Sequence, residues 1–469
     1  MEFPKVTGIK KVWITAGACA AIVFTGAFAA QYWSGAQIEE HFGEFVAMTK
    51  RYGYNTEIQS YERGASESKA VTVTSLAFDE ATRFELVFDH VMEHGPRLGD
   101  SAVARIESTL RLPDGELDQL KQALNGAAPL KVVTLILADG SHIMDLSAPQ
   151  FEIQDVDGSG DRFLFAGLGG EIKVAPNSTS YTADLNAPTF KLTTSKGEFT
   201  ASDLTLDAAG VPSGVPSLWL GDADIKIAKM SVNPIQGQEL VQVDIDQLSL
   251  TTVVESVDAG FNIKGGYAIN QVMVGGETVN DIALDMSMGP LDPDAMKQYM
   301  DTAVSLQSEL STNAGATLES MGEEIMASAT QVLTKGQPAF RFDNISFAYG
   351  TGRMDGNLMV RYVGGGDMAA FNPFTDIDAS LSLKGTKNMI ATIVSEVLAA
   401  QQYGDRLANL EEEERNAVVG ATQFQLDAVI KQGMLADAGE HYAVDASFTG
   451  GELLVNGTPM PLPVAPPPQ

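Results

Sequence analysis

Apolar and polar residues alternate with a period of two over most of the chain. Phe84, Leu86 and Phe88 alternate with charged or small residues, and Ala104, Ile106, Ser108, Leu110 and Leu112 lie opposite Arg105, Glu107 and Arg111. The same period marks Val132 to Leu137, Phe151 to Ile153, Ile225 to Ile227, and Val241, Val243 and Ile245. Its cleanest form is Ile282, Leu284, Met286 and Met288. Successive side chains of a strand point to opposite faces, so this pattern predicts strands with one dry and one wet face. Gly, Asn and Asp punctuate them, as in Asp139-Gly140, Asp157-Gly158 and Gly265-Gly266, which suits a long antiparallel meander. Two copies of one motif, Leu146-Ser-Ala-Pro-Gln-Phe151-Glu-Ile153 and Leu185-Asn-Ala-Pro-Thr-Phe190-Lys-Leu192, are offset by 39 residues. Each places a proline, which has no N–H to donate, at an expected sheet edge or strand start.

Helical spacing interrupts this pattern in two places. Asp292-Pro293 reads as an N-cap followed by proline in the first turn, and Leu318, Met321, Ile325 and Met326 form a stripe before Lys335. A second helical stretch, from about Thr386 to Ala438, carries Met389, Ile390, Ile393, Val394, Val397 and Leu398 on one face and breaks near Tyr403-Gly404. Strands return between and after these helices. The expected fold is therefore α+β and predominantly β, a long antiparallel meander sheet able to curl into a groove, with both helical insertions packing on it.

The first forty residues follow another rule. Val12 to Trp33 is an uncharged apolar run, preceded by Lys5, Lys10 and Lys11 and followed by Glu39 and Glu40. Trp13 and Trp33 are 20 positions apart, which in a helix is about 30 Å, the thickness of a bilayer's hydrocarbon core. With Tyr32 they make an aromatic belt at both interfaces, and the lysines place the N-terminus in the cytoplasm. A signal peptide cleaved at Ala27-Phe28-Ala29 is the alternative. Either way the bulk of the chain is expected outside the cytoplasm. Ile38, Phe42, Phe45 and Val46 then predict a stalk helix over Gln37 to Lys50.

The resulting organisation is 1–11 cytoplasmic, 12–33 transmembrane, 34–57 stalk, 58–290 β region and 291–336 helical insertion. It continues with 337–385 β region, 386–438 helical insertion, 439–458 closing hairpin and 459–469 tail. The tail holds six prolines in 11 residues and is expected to be extended.

Composition narrows the chemistry. The chain has 469 residues, 61 Asp and Glu against 30 Lys and Arg, and a net charge of −31. That balance argues against nucleic acid as a partner, because phosphate contacts need clustered cations. A lone Cys19 excludes intrachain disulfides, Cys-ligated zinc and iron–sulfur clusters.

Two strings resemble metal sites. His90-Val-Met-Glu93-His94 fits the H-x-x-E-H pattern of zinc peptidases. The string ends a period-two run and meets Gly95-Pro96, so the expected structure is a strand and turn rather than the helix zinc would need. Asp155, Asp157 and Asp161 start like a calcium loop, but its twelfth position is Ala166 where a bidentate Glu belongs, which favours an acidic hairpin turn. No G-x-S-x-G, S-x-x-K or P-loop occurs. Neither a catalytic residue nor a cofactor is expected.

Four segments carry a family resemblance: Trp33-Ser-Gly35-Ala-Gln37-Ile38-Glu39, Tyr61-Glu-Arg63-Gly64, His94-Gly95-Pro96, and Gly450-Gly451-Glu-Leu-Leu-Val-Asn456-Gly457 before the Pro-rich tail. In order and spacing they resemble the YdgA/YihF-like bacterial proteins, a family built on a domain of unknown function. The resemblance spans nearly the whole chain. It implies a Gram-negative inner-membrane anchor, a periplasmic body and self-association as a homo-oligomer, and it carries over no catalytic residue. Two non-enzymatic roles follow: holding or guiding an apolar ligand such as a lipid on the β surface, with Met-rich helices as caps, or serving as an adaptor for other envelope proteins. A zinc hydrolase using His90, Glu93 and His94 is the remote third.

Overall fold

A computed structural model of the protein describes residues 42, 46, 49, 55–77, 83–95, 102–112, 118–156, 160–235, 241–312, 318–364, 372, 374–404 and 411–461. The anchor residues Lys10, Lys11, Trp13, Tyr32 and Trp33, and Pro96 of the His-Gly-Pro turn, lie outside them. Among the described residues no helix is long and apolar enough to cross a membrane.

The fold is mostly β, an antiparallel meander as its alternation requires. The chain divides into two compact units: residues 1–244, 251–256 and 293–329, and residues 245–250, 257–292 and 330–469.

In the first unit the hydrogen-bonded order runs β1 (Asn55–Glu62), β2 (Glu67–Ala77), β3 (Arg83–His94), β4 (Ala102–Arg111), β5 (Lys131–Leu137), β6 (His142–Ala148), β9 (Leu168–Val174), β10 (Tyr181–Thr193), β11 (Gly197–Pro212) and β12 (Trp219–Pro234). A hairpin of β7 (Phe151–Val156) and β8 (Asp161–Phe165) joins the far half of β10. The dry face is a continuous core. The cross-strand row Met92, Ile106, Thr134, Met144, Ile172, Ala183 and Ala208 is buried throughout, and Ile172 has no exposed surface. On the wet face Arg105 lies 2.8 Å from Glu107 and 3.7 Å from Glu93, and Lys131 lies 2.7 Å from Glu107. Those cations, Lys131 first and then Arg105, hold the Glu107 carboxyl below its ordinary range. Helix α1 (Asp118–Ala123) packs on β7, and α2 (Pro293–Thr312) on β1 and β2.

Phe42, Val46 and Thr49 are helical and buried. Rather than projecting as a free stalk, Phe42 and Val46 join Ala70, Met92, Ala104, Ile106 and Ile136 in one apolar cluster.

The second unit contains β14 (Gly260–Val274), β15 (Glu277–Leu291), β16 (Ala339–Tyr349), β17 (Gly352–Tyr362), β18 (Ile377–Thr386), β20 (His441–Thr449), β21 (Glu452–Val455) and β22 (Thr458–Met460), paired in that order. The three-residue β19 (Ala436–Ala438) also pairs with β20. Helix α4 (Lys387–Tyr403) continues directly from β18 and packs on β17, β18 and β20, then meets α5 (Glu412–Lys431) through Leu398, Ala399 and Val418. Also present are β13 (Val243–Val257), α3 (Leu318–Thr334) and a 3-10 turn over Pro176–Ser178.

Two expectations about proline need correction. Pro188 is not at an edge or a strand start: β10 has partners on both sides. It sits where neither ladder has a paired residue, opposite Asp203 at φ 53°, so no N–H is missed. The Pro-rich tail begins as strand, because Pro459 lies in β22 opposite Leu454, an outer strand with one side free of a ladder.

Candidate binding face

The second unit repeats the alternation of the first with a different outcome. One cross-strand row runs from Ile263 through Met288, Phe340, Val360, Ala379 and Phe448 to Leu453. The next runs from Gly265 through Met286, Phe342, Leu358, Leu381 and Ala446 to Val455. Neither row contains an ionisable or hydrogen-bonding side chain, and none of its residues is buried. Phe340 is 38% exposed, and in the following row Tyr267 is 45% exposed.

Full burial of one large aliphatic or aromatic side chain is worth about 1.5–3 kcal/mol. The first unit realises that gain along its dry face, and the second leaves part of it unrealised over two rows. With strands about 4.8 Å apart, six spacings make each row about 29 Å long. That exceeds half the thickness of a bilayer's hydrocarbon core, about 15 Å, which one leaflet's chains fill.

The charges of this unit fall in the alternate register. Lys264, Ser287 and Arg341 share a row, and Arg361 pairs with Asp378 at 3.0 Å. Ser287 donates to Asp343 at 2.5 Å, and Asn344 to Asp285 at 3.0 Å.

One end of the apolar face is closed. A side chain at Gly352 would collide with Thr386 and Met389, and one at Gly385 would meet Ile390 at 2.9 Å. Missing Cβ atoms therefore let α4 seat directly on the strand ends. The Tyr349 hydroxyl helps fix the helix, 2.9 Å from Glu396 of α4 and 3.1 Å from Glu277. Glu396 is the main cause that pushes the Tyr349 phenol up to about 12.

The zinc string does not assemble. His90 and His94 share one face of β3, but four residues along a strand separates them by about 13 Å. Glu93 points to the other face beside Arg105. His90 is buried: its Nε2 is 2.8 Å from Thr72 Oγ1 and its Nδ1 is 2.8 Å from Ser108 Oγ, with the Phe42 ring edge-on at 5.2 Å. Burial lowers His90 to about 4, against a weaker opposing effect of Asp89, so it is neutral at physiological pH. His94 ends β3, and Gly95 follows at φ 85° as the turn. Among the described residues no three His, Cys, Asp or Glu side chains are placed to hold a metal.

The calcium-like string spans the β7–β8 hairpin. Asp155 belongs to β7, Asp161 is buried in β8 opposite Val156, and Asp157 lies outside the described residues.

The family-like residues Tyr61, Arg63, Gly64, Asn456 and Gly457 lie in a strand and two connections. Tyr61 of β1 packs its ring 6.0 Å from Phe42. Arg63 and Gly64 lie between β1 and β2, where a Gly64 side chain would strike the Glu67 carbonyl. Asn456 and Gly457, at φ 49° and 75°, form the two-residue turn between β21 and β22.

Sequence reasoning missed Thr72 and Ser108 as partners of His90. The signal was present, since Ser108 is a polar residue on the dry side of its strand. His142 of β6, which has no partner at a telling spacing in the sequence, is 1% exposed, has no hydrogen-bond partner at either ring nitrogen, and is lowered to about 4 by burial, with Asp139 opposing.

Over residues 9–463 the chain matches the family described as "Bacterial protein of unknown function (DUF945)". The chain belongs to that family. No curated protein and no solved structure matches it.

Proposed function

We propose that this protein is a non-enzymatic envelope factor that holds an apolar, lipid-like ligand on the open face of its second unit. In this reading the Val12–Trp33 helix stays in the bacterial inner membrane and the β-rich body works in the periplasm, as the narrower likeness to YdgA/YihF-like proteins also suggests. One observation carries the proposal: two rows of apolar side chains, uninterrupted over seven strands, remain partly exposed, where the first unit buries its equivalent row. A contiguous apolar face left partly exposed is a feature of binding surfaces.

The test is lipid extraction from the full-length protein, purified without added lipid, followed by mass spectrometry. Phospholipid or another acyl lipid in near-stoichiometric amount is expected, and lipid-free protein would end the proposal. The adaptor reading has its own support in α5, where Val419 is 62% and Phe424 75% exposed. Crosslinking in membranes that traps another envelope protein through Phe424, with no lipid recovered, would favour the adaptor.

A further inference from the structure

We infer that the ligand is recognised by its hydrocarbon alone, its headgroup remaining in solvent, so that binding does not depend on headgroup charge. This rests on the proposed lipid-holding role and concerns how the same face selects its occupant.

The argument is one of charge and hydrogen-bond complementarity. The two rows from Ile263 to Leu453 and from Gly265 to Val455 offer no charge, donor or acceptor. Lys264 and Arg341 sit in the opposite register, on the other face of the sheet, and Arg361 is held there by Asp378. A phosphate seated on the apolar rows would find no cation there and gain nothing from its charge.

An extended polypeptide occupant fits poorly. Its backbone N–H and C=O groups would be buried against side chains that cannot pair with them, at about 1–3 kcal/mol for each unmet group. A saturated chain has no such groups. Each CH₂ it buries contributes about 0.8 kcal/mol, and a row about 29 Å long takes its full extent. Chain length, not headgroup, is therefore what the face measures.

The experiment displaces a pyrene-labelled fatty acid from the full-length protein. The competitors are phosphatidylglycerol, phosphatidylethanolamine and uncharged diacylglycerol bearing the same chains, at about 50 and about 500 mM salt. The three competitors are expected to agree within about threefold, without salt dependence, while shortening the chains by about six carbons weakens competition at least about 100-fold. A preference above about tenfold for one headgroup, abolished by salt, would overturn the inference and leave the lipid-holding role standing. Failure of the pyrene probe to bind at all would overturn both.

Paired variants locate the site. Phe340→Glu, at a position already 38% exposed, is expected to weaken probe binding at least about tenfold. Its neighbour Arg341→Glu, facing the other way, is expected to leave binding within about twofold. Equal effects from the two would overturn the assignment to this face.

Discussion

The side-chain amide of Asn456 donates to the carbonyl of Gly433 at 2.9 Å, while its side-chain oxygen accepts the Asp445 N–H at 2.9 Å. One residue thus ties the segment after α5 to β20 while turning the last hairpin. Its φ of 49° is one that Asn tolerates better than most residues. Asn456→Ala should therefore lose both bonds and strain the turn, lowering unfolding free energy by about 2–4 kcal/mol in urea titrations. Asn456→Gly, which relieves the strain, should recover about 1 kcal/mol of that. Equal losses would show that backbone conformation plays no part.

The His90 cluster makes a second prediction. Both ring nitrogens are paired and the ring is buried, so removing either hydroxyl leaves a polar atom unmet. Ser108→Ala and Thr72→Val should each cost about 1–3 kcal/mol, seen as a lower urea midpoint at unchanged slope. No change in midpoint would mean that the two bonds contribute nothing.

Acid should weaken the first unit by a defined route. His90 and His142 are both lowered from 6.5 to about 4 by burial. A depressed folded-state value means that protons bind the unfolded chain more readily. The stabilisation is complete above pH 6.5 and is lost as pH falls from there through about 4, at about 3 kcal/mol for each histidine. Urea midpoints measured across that window should fall steeply, and His142→Phe should flatten part of the fall. A profile unchanged by that variant would show that His142 does not titrate in this range.

Much of the fold is legible in the sequence because period two and period 3.6 cannot be confused over long runs. Asp292-Pro293 opens α2 and Tyr403-Gly404 closes α4 where capping chemistry places them. The 39-residue repeat is legible as similarity but not as architecture. Its copies flank a common neighbour: Leu146 and Leu185 lie on either side of Gly170, and Phe151 and Phe190 on either side of Phe165. The intervening Leu168-Gly-Gly-Glu-Ile-Lys-Val stretch is poor in strand formers, yet Gly170 is required because any side chain there would strike Leu185. The candidate face was legible only in part. Ile172 and Ile263 alternate identically with their neighbours, but the first is fully buried and the second is not. Alternation says which side is dry, whereas coverage depends on what lies over that side, which local pattern does not encode.

The most direct measurement places a photo-crosslinking residue in the full-length protein in membranes, at Phe340 or Leu358 on the apolar rows and, in separate variants, at Arg341 or Asn357 in the opposite register. Lipid adducts confined to positions 340 and 358 are the expected result. Adducts absent everywhere, or equally frequent at 341 and 357, would contradict the claim that this face holds a hydrocarbon chain.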